Sequence, residues 1–184
     1  MGIRTFRTKQ MEWREVLVAI VKLLQPDTYV EVGVRECYTF NAIAPLVKGA
    51  IAVDHKDYRA KLVDLAHVEF ILSDSVEAVG EWGQRIDPSI DLLFVDANHH
   101  WENTLANFDA WSPFVKPQTG IIAMHDTCPA YKDYYRHQND AWKAAYKIRT
   151  DENYHENFEI MSFPGPYSGM SFIRKAKEHL PELV

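Results

Sequence analysis

From Met11 to Leu24 the apolar residues Trp13, Val16, Leu17, Ile20, Val21 and Leu24 recur at three- and four-residue spacing, which predicts a helix burying one stripe. Gln25-Pro26-Asp27 ends it. The pattern then changes to short apolar runs, each followed by a longer amphipathic segment. Thr28 to Val32, Ala50 to Val53, Val68 to Leu72, Asp91 to Val95 and Ile121 to Met124 read as strands. Their near-continuous apolar character predicts a parallel sheet covered on both faces. Helices are expected over Thr39 to Val47, Tyr58 to Ala66, Ser75 to Trp82, Trp101 to Phe114 and Tyr131 to Ile148, with Pro45 breaking the first near Ala44. Phe158 to Phe163 and Met170 to Arg174 are extended runs, separated by a Pro- and Gly-rich turn too short for a crossover helix. They should pair as an antiparallel hairpin.

The 184 residues suit a single domain, with residues 1–26 an N-terminal helical segment and 28–175 the core. Hydrophobic residues at 47% and charged residues at 25% exclude a disordered or coiled-coil chain. With 20 Lys and Arg against 26 Asp and Glu, the net charge of −6 repels phosphate backbones and argues against a nucleic-acid partner. Cys37 and Cys128 form no metal-binding or disulfide framework, which suits a reducing cytoplasm. The longest apolar stretch, Val16 to Leu24, is interrupted by Lys22 and is short of the ~20 residues a membrane span needs. No membrane partner is expected.

In an open parallel sheet, ligands bind beyond the carboxyl ends of the strands where the strand order reverses. Those ends carry Glu31 to Gly33, Asp54-His55, Ser73 to Ser75, Asp96 to His100 and His125-Asp126. Each Asp can also be read as a helix cap or turn starter. Five carboxylate-bearing ends along one edge favour a shared site.

Tyr29 to Thr39 resembles the first motif of class I S-adenosylmethionine-dependent methyltransferases. Asp91 to Asp126 resembles the branch of small-molecule O-methyltransferases of the macrocin and cephalosporin-biosynthesis type, whose pattern is Asp, two spacers, His, a helix, a Lys-Pro turn, a strand and a final acidic pair, the pair being replaced here by His125-Asp126. The likeness runs from about Thr28 to Arg174. It implies a Rossmann-like, doubly wound α/β sheet of seven strands, mostly parallel, with the last antiparallel and helices on both faces.

The resemblance also implies S-adenosylmethionine as cofactor and a small hydroxylated acceptor. Gly33 and Val34 would let the backbone approach the cofactor, and Glu31 would hold loop amides and bind the methionine end. Asp54 lies 54 − 33 = 21 positions beyond Gly33, near the ~20 at which a carboxylate reaches ribose hydroxyls, with His55 beside it. Asp74 and Ser75 would flank the adenine. Asp96, His125 and Asp126 would hold a divalent metal, magnesium or manganese, with Asp96 also on the cofactor side.

His99 matches the family's general base, and His100 stands beside it as partner or decoy. Cys37 replaces the family's usual glycine and reads as a buried, space-filling thiol. Tyr131, Tyr134, Tyr135, His137, Trp142 and Tyr146 form either an aromatic wall over the acceptor or a helix face packed on the sheet. Two other function classes remain: a non-catalytic S-adenosylmethionine- or partner-binding domain of the same fold, and a metal phosphohydrolase suggested by His125-Asp126. A homo-oligomer is compatible with either helix packing of the N-terminus.

Overall fold

The computed structural model describes residues 12–83, 90–130, 139–165 and 168–176. Its core is a seven-stranded sheet in the order β3-β2-β1-β4-β5-β7-β6. The strands are β1 Thr28–Val32, β2 Gly49–Asp54, β3 Val68–Leu72, β4 Leu92–Val95, β5 Ile121–His125, β6 Phe158–Phe163 and β7 Met170–Lys175. The first five are mutually parallel, and β7 runs antiparallel between β5 and β6. This is the expected Rossmann-like α/β sheet with its C-terminal hairpin.

Side chains alternate across the sheet and build two cores. On one face Val30, Val32, Leu93, Val95, Ile122 and Met124 pack against α4 (Trp101–Trp111) and α5 (Trp142–Thr150). On the other, Tyr29, Ala52, Leu92, Phe94 and Ala123 pack against α1 (Trp13–Leu24) and α2 (Tyr38–Ile43). Helix α1 stops where the sequence expects, with Gln25 left-handed at φ 49° and its N–H donating to the Val21 carbonyl. Below the sheet, Asp91 accepts the backbone N–H groups of Asp27 and Thr28 at 3.0 and 2.9 Å and the Lys116 ammonium at 2.7 Å, which ties β1 and β4 in register.

Several helices differ from the expectation. α2 ends at Ile43 and a 3₁₀ turn carries Ala44–Leu46, so the chain breaks at Pro45 as foreseen. The helix expected over Tyr58 to Ala66 shrinks to a 3₁₀ turn at Arg59–Lys61. The Asn41 side chain donates to the Lys61 carbonyl and accepts the Val63 N–H, replacing the local bonds a helix would have used. α3 covers only Ala78–Gly83, because Asp74 takes the N–H groups of Val76 and Glu77 in a turn of its own. α4 closes at Trp111 with a 3₁₀ turn at Ser112–Phe114. A short α6, Glu152–His155, was not anticipated.

Of the aromatic segment, residues 131–138 lie outside the described residues, which takes in Tyr131, Tyr134, Tyr135 and His137. α5 packs through Ala144, Ala145 and Ile148, while Tyr146 is 61% exposed, so Tyr146 does not pack on the sheet. No helix among the described residues is long and apolar enough to cross a membrane.

One glycine governs how the loops after β1 and β4 meet. Gly33 sits at φ +90°, and a Cβ there would lie 2.4 Å from the Ala97 Cα and 2.5 Å from the Asp96 carbonyl oxygen. Both contacts are backbone and cannot rotate away. Gly33→Ala is expected to lower unfolding free energy by more than about 2 kcal/mol in urea titrations, from strain plus overpacking. A loss under about 0.5 kcal/mol would show that the two loops are not locked together.

Candidate active site

The carboxyl ends of β1 to β4 enclose a cleft of about 830 Å³. Every residue expected on the cofactor side lines it: Glu31, Gly33, Val34, Asp54, His55, Asp74, Ser75 and Asp96. His99 and His125 line it as well.

The detailed bonding reassigns two roles within this set. The loop amides after β1 go to Asp54 and not to Glu31: one Asp54 oxygen accepts Val34 N–H at 3.1 Å and Arg35 N–H at 3.2 Å. The other accepts Lys56 N–H at 3.0 Å and lies 3.2 Å from His55 Nδ1. Asp54 therefore spends its oxygens ordering the loop, which leaves little of it for ribose hydroxyls. Glu31 lies on the same face lower on the sheet, where the hydroxyl of Tyr29, two residues back, donates to it at 2.5 Å. Asp74 Oδ1 accepts the Val76 and Glu77 N–H groups of its own turn.

Glu31 is buried, and burial pushes its carboxyl well above the usual range. The Tyr29 hydrogen bond works against that rise, and the Asp96 charge adds to it. Cys37 holds the left-handed conformation at φ 59° that a glycine would take without strain. Its thiol is fully buried and pushed up to about 11, chiefly by burial, which fits a space filler and not a nucleophile.

At the far side of the cleft, the ends of β4 and β5 bring two carboxylates and two imidazoles together. His99 Nδ1 lies 2.5 Å from Asp126 Oδ2. His125 Nδ1 lies 3.1 Å from Asp96 and 3.2 Å from Asp126, yet it is aligned for a hydrogen bond with neither carboxylate. Burial works to raise the Asp126 carboxyl, but hydrogen bonds from His99 and Ser168 and the nearby His125 hold it at about 2. The hydrogen bond to Asp126 raises His99 against its partial burial. Burial pulls His125 down, and the Asp96 and Asp126 carboxylates outweigh it, so this ring too is raised. Asp96, His99 and Asp126 each offer a donor atom, all within 4.8 Å of one another. His99 thus joins the converging set in which the sequence had placed His125.

The residues that hold this cluster in place were not foreseen. Asn139 donates its amide to Asp126 Oδ2 at 2.6 Å. Its neighbour Asp140 donates its backbone N–H to the His99 carbonyl at 3.0 Å and accepts the Trp101 N–H at 2.9 Å. Asp140 therefore caps α4 from 39 residues away, where the N-cap residue His100 supplies no side-chain bond. Asn-Asp before an apolar helical run is a helix-start signal, but it does not say whose helix is served. The hairpin turn adds support from below. Cys128 N–H donates to the Ser168 carbonyl, and a Cβ on Gly169 would overlap the Cys128 carbonyl.

A family model described as "Methyltransferase domain" matches residues 30–127, more than half the chain. The chain belongs to this methyltransferase-domain family. The matched segment of the methyltransferase domain contains Glu31 through Asp126 and ends before Asn139. No curated protein matches the chain by sequence. Among solved structures, a proposed O-methyltransferase from Klebsiella pneumoniae superposes with TM-score 0.70 at 13% identity, over 94% of this chain and 83% of its own. An O-methyltransferase from Bacillus cereus, solved in complex with SAH, gives 0.64 at 15%, over 88% and 78%. MycE, a methyltransferase of the mycinamycin biosynthetic pathway solved with Mg, SAH and mycinamycin VI, gives 0.60 at 16%, over 91% of this chain but 52% of MycE. At these identities the likeness is one of fold.

Two outcomes follow for stability. Glu31 binds its proton more tightly folded than unfolded, so its contribution falls as pH rises above the unfolded value of about 4.3. The melting-temperature gain of Glu31→Gln over wild type should therefore be larger at about pH 8 than at about pH 4.5. An equal gain at both would mean an unshifted carboxyl. Asp140→Ala should cost about 1 kcal/mol in denaturant titrations, and Asp140→Asn clearly less because it keeps the acceptor for Trp101. Equal costs would remove Asp140 as the cap.

Proposed function

We propose that the methyltransferase domain uses S-adenosylmethionine to methylate a hydroxyl of a small metabolite, with His99 as general base and a divalent cation beside it. The observation that carries this reading is the His99–Asp126 contact at the rim of a cleft lined by the first-motif loop. Asp126 holds Nδ1, so Nε2 is the atom left to accept the hydroxyl proton. The acceptor oxygen then attacks the sulfonium methyl, the carbon–sulfur bond breaks, and S-adenosylhomocysteine leaves neutral at sulfur.

The donor side is supported by Gly33, which brings backbone against the cleft floor, and by the loop amides that Asp54 orders. Glu31, buried and raised, is a receptor for a cationic group, because a positive charge nearby would offset its burial. The chemistry of the acid cluster fits a divalent ion: Asp96 and Asp126 offer hard oxygens within 4.8 Å of each other, and His125 Nδ1 lies 3.1 and 3.2 Å from them. Such an ion, held by these three, would stabilise the oxyanion of the acceptor. The complexes of MycE with Mg and SAH and of the Bacillus cereus enzyme with SAH agree with this reading.

The test combines binding and turnover. Calorimetry should show S-adenosylhomocysteine binding to wild type, and incubation with S-adenosylmethionine and a panel of catechol and sugar acceptors should yield a product one methyl heavier. Asp126→Ala should lower that turnover by about 100-fold or more while changing S-adenosylhomocysteine affinity less than about threefold. Undiminished turnover in the variant would remove Asp126 from the mechanism. A wild type that binds no S-adenosylhomocysteine would remove the donor.

A further inference from the structure

One polar side chain in the cleft wall is buried without a full set of partners. Asn107 on α4 is 2% exposed and lines the cleft. Its amide nitrogen donates to the Asn103 carbonyl at 2.9 Å, one turn back, which fixes which end of the amide is the oxygen. That oxygen, Oδ1, has no hydrogen-bond partner among the described residues. A buried acceptor left unpaired costs about 1–3 kcal/mol, so its persistence in a cleft wall points to a group that arrives with the ligand.

The course of α4 says which part of the ligand that is. The helix starts beside His99, at the reacting end, and its other end is tied to the loop after β3, where the Trp111 indole N–H donates to the Ser75 carbonyl at 2.7 Å. Asn107 stands six residues beyond Trp101, roughly 9 Å along the axis from the start of α4, and one turn before Trp111. It is too far from the base to meet the hydroxyl being methylated. Asp74, Ser75 and Val76, beside the Trp111 end of α4, line the same cleft. There Asp74 Oδ1 already accepts two backbone N–H groups and the Ser75 carbonyl is taken by Trp111, whereas Asn107 Oδ1 is unclaimed among the described residues.

Resting on the donor assigned above, we infer that Asn107 Oδ1 accepts the exocyclic amino group of the donor's purine and sets the enzyme's preference for adenine. An amino group supplies the N–H that the orphan oxygen lacks. A 6-oxo purine would set acceptor against acceptor.

Calorimetry with S-adenosylhomocysteine and S-inosylhomocysteine tests this directly. Wild type should bind the adenosyl compound about tenfold or more tightly than the inosyl compound. In Asn107→Leu that ratio should fall to within about threefold of unity. Asn107→Ser, whose hydroxyl can return to the Asn103 carbonyl and keep the helix, should lose the preference too. Equal affinities in wild type, or an undiminished ratio in whichever variant melts like wild type, would overturn the role of Asn107 while leaving the donor intact. Failure of wild type to bind S-adenosylhomocysteine at all would instead overturn the donor, and this inference with it.

Discussion

Everything at the carboxyl edge of the sheet depends on how closely the backbone after β1 passes the backbone after β4. These two strands are neighbours at the point where the order reverses, so the loops above them diverge to opposite sides and leave a crevice. Gly33 sets its depth, since any side chain there would strike the Ala97 and Asp96 backbone. Asp54 then fixes the loop's shape by gathering amides that would otherwise lack acceptors. Cys37 keeps the left-handed turn that follows and offsets its strain by burying its thiol in the α1 and α2 core.

Within this crevice the protein separates two carboxylates by environment. Glu31 meets burial, one phenol and the like charge of Asp96, and is pushed up. Asp126 is also buried, yet two imidazoles, Ser168 and Asn139 surround it, and it is held down. The difference is in partners and not in residue type.

The C-terminal hairpin does more than extend the sheet. Because β7 inserts between β5 and β6, its turn lies against the loop that bears Asp126 and brings Ser168 to it. Asn139 and Asp140 reach the same centre from the other side, one holding the carboxylate and the other the His99 backbone. Asp126 itself is left-handed at φ 61°, a conformation that such a network of contacts can maintain.

Apolar runs, their acidic ends and Pro45 were enough to place the strands, the break after α2 and the carboxylates along one edge. These are encoded in neighbours a few residues apart, through periodicity and sterics. The resemblance over Tyr29 to Asp126 pointed further, to the methyltransferase-domain family. What the linear order could not decide was partner choice. Tyr58 to Ala66 carries helix-forming residues, but Asn41 takes its local bonds. Glu31 and Asp54 share a sheet face, yet Asp54 stands level with Gly33 and reaches the loop amides, while Glu31, lower on its strand, is taken by Tyr29. Asp140 looks like a cap for the helix after it and instead caps α4. Local pattern thus determined where the polar groups stand along the chain. Only the packed sheet, by bringing loops from distant parts of the sequence within hydrogen-bond reach, decided which of them meet.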